Sequence, residues 1–144
     1  MNLTFDVKAK WAGVGRHGEG EMQVGEHRFS YSAPATMGGK GIGASPENLL
    51  LAAVTACYSG TLMRVLEQRH LPGISIAIHT NGMVEGYPEN AKFAHIIVNP
   101  TIQGGDPKLM MEYQQAAQTA RDRCFIGRTV RDYLTYAVGE VMIG

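Results

Sequence analysis

The chain has 144 residues, 44% of them hydrophobic and 18% charged, the make-up of an ordinary globular protein with one core. Its 13 basic residues balance 13 acidic ones, which argues against nucleic acid or an anionic membrane surface as a partner. The first residues alternate charged and apolar side chains, unlike a signal peptide, and Arg64, Glu67, Gln68 and Arg69 break the one long apolar run. The expected location is therefore the cytoplasm, where two cysteines do not default to a structural disulfide.

In chain order, Leu3, Phe5, Val7, Ala9 and Trp11 alternate with polar residues and predict a strand with one buried face. Gly13, Gly15, Gly18 and Gly20 surround Arg16 and His17 in a permissive turn. Residues 21–24 and 28–32 read as a hairpin turning at Gly25-Glu26, so the first three strands form an antiparallel meander. Residues 33–44 carry four glycines and lead into a helix. An anion-binding loop is the functional reading of such a stretch. No Gly-Lys-Ser/Thr follows at P-loop spacing, however, so a connector is the favoured reading.

The stretch Ser45 to His70 is the organising helix. Ser45 suits the N-cap, Pro46 the first helical position and Glu47 the positive end of the dipole. Leu71-Pro72-Gly73 ends it. Residues 74–79 and 93–102 then read as a strand pair joined through the turn 86–90, and Asp106-Pro107 starts a second helix. Asp122 is the expected cap of a short third helix near Arg123-Cys124, and residues 133–143 close the chain as a strand. The order βββ-α-ββ-α-α-β predicts one α+β domain over residues 1–144, an antiparallel sheet with helices packed on it. A long apolar helix needs cover on more than one side, which a second copy of the chain would supply.

The chemistry centres on two thiols. Cys57 lies near the middle of the central helix and Cys124 near the start of the third. There is no Cys-x-x-Cys, and two cysteines with scattered histidines make no zinc site. Two small buried hydrophobes are the plain reading. A helix start, with Arg121, Arg123 and Arg128 nearby, favours a Cys124 thiolate instead.

The run SPENLLLAAVTACYSGTL, with Glu47 ten residues before Cys57, resembles the central-helix motif of the OsmC/Ohr family: Pro-Glu, Leu-Leu, small residues, Ala-Cys. RDRCFIGRTV is similar to the family's second motif, a cysteine at the start of a short late helix, with Phe125 where a proline is usual. Arg16, flanked by glycines after the first strand, matches the place of the family's active-site arginine.

The resemblance implies antiparallel sheets packed on a long central helix in an intertwined homodimer. It implies a thiol peroxidase that reduces organic hydroperoxides to alcohols through a Cys57–Cys124 disulfide cycle, Cys57 being the peroxidatic and Cys124 the resolving thiol. Arg16 would stabilise the Cys57 thiolate, and Glu47 would hold Arg16 by an ion pair. No cofactor or metal is implied. The partners implied are a second subunit, a hydroperoxide and an external thiol reductant such as a lipoyl group, with no nucleic acid and no membrane. The alternative is a non-catalytic homodimer of the same fold that binds a small ligand or senses redox state. Ten residues of helix separate Glu47 from Cys57 by about 15 Å along the axis, so a site built from both residues is expected to be shared between two chains.

Overall fold

In the first fifty residues of the computed structural model, which describes residues 1–144, three short strands form an antiparallel sheet. They are β1 (Lys8–Ala12), β2 (Glu19–Val24) and β3 (His27–Tyr31), in the order β1-β2-β3. The meander stands as expected, with its turn at Gly25 in the left-handed region, φ 57°, which glycine enters without a Cβ clash. The first strand is shorter than its sequence pattern. Lys8 already pairs with Gln23 near the end of β2, so residues 1–7 have no partner strand within the chain. Leu3, Phe5 and Val7 are exposed rather than buried. Trp11 lies across the glycines that follow it: its indole Nε1 donates to the Gly13 carbonyl at 2.9 Å, and a Cβ on Gly18 would sit 2.3 Å from the ring.

The glycine-rich connector is fastened to the end of β3. The Ser32 hydroxyl, on a residue only 1% exposed, donates to the Ile42 carbonyl and accepts from the Ile42 N–H. Ala44 N–H donates to the Ser30 carbonyl, and Lys40 pairs with Glu19 at 2.8 Å. A capping box then opens α1 (Pro46–Gln68): the Ser45 hydroxyl accepts from Asn48 N–H, and the Asn48 side-chain oxygen accepts from Ser45 N–H. The helix ends in a paired 6→1 and 5→2 motif, Leu71 N–H to Leu66 and His70 N–H to Glu67. His70 takes the left-handed position, φ 54°, without a glycine. By length and composition α1 is long and apolar enough to cross a membrane, with a mean hydropathy of 1.6, which corrects the view that its charges forbid one. Polar groups along its middle are nonetheless bonded to protein: the Thr55 hydroxyl lies 2.6 Å from that of Thr80, and the Tyr58 hydroxyl donates to the Ala117 carbonyl.

Residues 1–50 and 51–144 form separate units. The second contains a four-stranded sheet. β4 (Ser75–Glu85) pairs antiparallel with β5 (Lys92–Gln103), while β6 (Thr135–Val138) and β7 (Met142–Ile143) both pair parallel to β5. The sheet is therefore mixed, not antiparallel, because two helices carry the chain back before β6 begins, as a parallel pair requires. Pro100 has no N–H to give, and the ladder breaks there. β6 pairs as far as Val98, and β7 resumes at Thr101. Asn99 bridges the gap, its amide donating to the His79 carbonyl and to Asn81 while its oxygen accepts from Glu140 N–H.

After a 3-10 turn capped by Asp106, α2 (Met110–Arg123) presents Tyr113, Ala116, Ala117 and Ala120 to the core. A kink at Cys124 separates it from α3 (Phe125–Val130). Asp122 does not cap α3; it lies in α2 and pairs with Arg121. The core of this unit joins Val54, Leu62 and Leu66 of α1 to Ile96, Val98 and Ile102 of β5. Each such side chain, fully buried, contributes about 1.5–3 kcal/mol.

Candidate active site

Cys57 and Cys124 are far apart in sequence, yet Cys57 lies close enough to the Cys124 thiol to help raise its pKa. Both are free thiols. Their settings differ. Cys124 is wholly buried at the α2–α3 junction, whereas Cys57 lies half-buried on α1. On that side of α1 the neighbours Ala52, Ala53, Ala56 and Gly60 are exposed. Cys57 is thus the thiol that a molecule from solution meets first.

Two tyrosines complete the cluster. Tyr58, beside Cys57, donates to Ala117. Tyr136, from β6, was hidden in a strand of mixed pattern; its proximity to Cys124 needs the parallel pairing of β6 with β5. Its hydroxyl is buried and makes no hydrogen bond of normal geometry, but it lies close enough to the Cys124 sulfur to favour a thiolate there. Burial pushes both phenols well above the usual tyrosine range, and a charge on Cys124 would push them further.

The electrostatics at Cys124 reverse the sequence expectation. Burial raises its pKa first, and Cys57 raises it further; the Gly127 N–H and the Tyr136 hydroxyl work in the opposite direction. The low thiol pKa expected from a helix start and three arginines is not realised. Arg121 donates to the Tyr136 carbonyl and pairs with Asp122, Arg123 donates to Gln68, and Arg128 points to solvent. A thiol held protonated cannot lead the chemistry, because the thiolate is the nucleophile.

The remaining two residues of the sequence-derived site lie in the first unit. Arg16 stands exposed in a 3-10 turn, Gly15–His17. Glu47 lies in the first turn of α1 with its Oε1 buried and without a hydrogen-bond partner. The two do not form an ion pair within the chain. No group of three or more His, Cys, Asp or Glu side chains is arranged to hold a metal.

A mixed α+β chain with two free thiols close together at its long helix defines a dithiol protein. Comparison narrows this class. Residues 38–137 match the family pattern of OsmC-like proteins, and the chain belongs to that family. Over 98 residues it is 31% identical to the uncharacterized protein YmaD of Bacillus subtilis (strain 168), a match spanning 68% of this chain and 65% of that relative's length. Among solved structures, the OsmC-like protein of Mycoplasma pneumoniae superposes with a TM-score of 0.77 at 16% identity, covering 99% of each chain. The organic hydroperoxide resistance protein OsmC of Legionella pneumophila gives 0.71 at 20% identity, again over 99% of each chain. An organic hydroperoxide resistance protein of Elizabethkingia anophelis gives 0.70 at 22% identity, over 100% of this chain and 99% of that one. These structures share the fold.

Proposed function

We propose that the protein is a thiol peroxidase that reduces organic hydroperoxides to alcohols through a Cys57–Cys124 disulfide cycle. The observation that carries the reading is the asymmetric thiol pair: a half-buried Cys57 close to a wholly buried Cys124. The Cys57 thiolate attacks the outer oxygen of the O–O bond. The alkoxide leaves, takes a proton and becomes the alcohol, and Cys57 becomes a sulfenic acid. Cys124 then attacks the Cys57 sulfur; its proton and the sulfenic hydroxyl leave together as water, and the disulfide forms. An external dithiol, such as a lipoyl group, returns both thiols while its own sulfurs are oxidised to a disulfide. No metal or cofactor enters these steps.

In this reading Arg16 supplies the positive charge beside the Cys57 thiolate, and Glu47 orients Arg16. The functional form is a homodimer of the whole OsmC-like domain, residues 1–144, working in the cytoplasm. The exposed small residues along α1 and the exposed Leu3, Phe5 and Val7 support a second subunit, because they are apolar surface the chain leaves uncovered. Isologous contacts of this kind are the commonest form of oligomer. Glu47 then acts on the partner's Cys57, which avoids the reach along its own helix.

The test is consumption of cumene hydroperoxide with dihydrolipoamide as reductant. Sustained turnover by the native chain that vanishes in Cys57→Ser supports the reading. A native chain that binds or is modified by the peroxide once, without turnover, leaves the redox-sensing alternative in its place.

A further inference from the structure

We propose that the Tyr136 hydroxyl is the hydrogen-bond donor that turns the buried Cys124 thiol into an effective resolving nucleophile. The proposal rests on the disulfide cycle above and adds a residue to it. Buried hydroxyls are almost always hydrogen-bonded, and an exception calls for a physical reason. Tyr136 is 1% exposed, and its hydroxyl has no partner of normal geometry. Its ring packs on Gly127, one turn into the short helix that Cys124 opens, which sets the hydroxyl close to the Cys124 sulfur. A neutral thiol is a poor acceptor, and a thiolate is a strong one. The hydroxyl therefore gains its partner only as Cys124 loses its proton. A donor idle in the resting state and engaged as charge develops lowers the barrier rather than deepening the ground state.

The surroundings hold the phenol for this task. The Arg121 Nε donates to the Tyr136 carbonyl at 2.6 Å, and its guanidinium lies 5.4 Å from the ring centroid. On another side the ring rests on Gly127, where a Cβ would sit 2.1 Å from Cε2. The arginines that the sequence offered as activators of Cys124 are engaged elsewhere or face solvent. One of them, Arg121, is left as the support of the tyrosine.

The step balances without further reagents. Cys124 gives up its proton as its sulfur attacks the Cys57 sulfur, the S–S bond forms, the bond from Cys57 sulfur to its leaving group breaks, and that leaving group takes the proton. Tyr136 donates a hydrogen bond throughout and keeps its own proton.

Dithiodipyridine tests this independently of any peroxide. Cys57 attacks it and releases one thiopyridone, forming a mixed disulfide; Cys124 then displaces a second thiopyridone and closes the Cys57–Cys124 bond. In Tyr136→Phe the first release keeps its rate, while the second slows by roughly tenfold or more, and its pH profile moves to higher pH. Arg121→Lys, which keeps the charge but loses the Nε donor to Tyr136, slows the second release partway. A Tyr136→Phe chain of native circular dichroism whose second release matches the native rate and pH profile overturns the proposal, as does a native chain with no second release. Should Tyr136→Phe not fold, Arg121→Lys decides: an unchanged second release overturns the proposal. Cumene hydroperoxide is run in parallel. A native chain that closes with dithiodipyridine but does not turn over peroxide loses the peroxidase reading, while the Tyr136 result stands or falls on its own.

Discussion

The Cδ2–Cε2–Cζ edge of the Tyr136 ring packs against Gly127, leaving no space for a side chain there. Gly127→Ala must displace the ring or the start of α3. Overpacking of this kind costs about 1–3 kcal/mol. Urea denaturation of the reduced protein should show that loss, and disulfide closure should slow because the displaced ring takes its hydroxyl away from Cys124. An unchanged midpoint would mean that the ring has room the structure does not give it.

Stability should fall at alkaline pH. Burial raises Cys124, Tyr58 and Tyr136 in the folded chain above their ordinary values, which are about 8.5 for cysteine and about 10 for tyrosine. Above those values the unfolded chain ionises while the folded chain stays neutral, so the unfolded state binds fewer protons and folding weakens as pH rises. The contribution is intact below about pH 8.5 and is lost progressively above it. Urea midpoints of the reduced protein from pH 7 to 11 check this, and a flat curve across that range contradicts it.

Asn99 closes the break in the sheet at Pro100. Asn99→Ala removes two donated bonds and leaves the Glu140 N–H without its acceptor. A loss of about 1–3 kcal/mol is expected from the stranded groups, read as a lower thermal midpoint. Thiol reactivity should stay native, since the cysteine cluster does not include Asn99.

The two thiols should behave differently when changed. Cys57→Ser should abolish peroxide consumption. Cys124→Ser should permit one oxidation event and leave Cys57 as a sulfenic acid that dimedone traps. Full turnover by Cys57→Ser would end the peroxidase reading.

A site shared between subunits is testable by mixing. A Cys57→Ser chain paired with a chain carrying Arg16→Ala and Glu47→Ala has one complete site if each site draws on both chains, and about half the native activity should return. An inactive mixed dimer places each site within one chain.

Much of this was legible in the sequence, and particular residues say why. The capping signal at Ser45 is local, so α1 could be read directly; so could the hairpin at Gly25, where a turn needs a left-handed residue. The two cysteines stood out because there are only two. The parallel direction of β6 was not legible, since it depends on where α2 and α3 return the chain. Tyr136 was lost with it. The reactivity assigned to Cys124 failed for a related reason: nearness in sequence to three arginines carries no information about where their guanidinium groups go. Leu3, Phe5 and Val7 showed a buried-face pattern that their own chain does not bury.

The crossover that makes β6 parallel to β5 also carries Cys124. The chain must finish β5, build α2, turn at Cys124 and return β6 to the start of β5 before the second thiol has its tyrosine beside it. These contacts are long in sequence and form late. The thiol pair is thus assembled only in the finished domain: in a half-made chain Cys57 has no second thiol beside it.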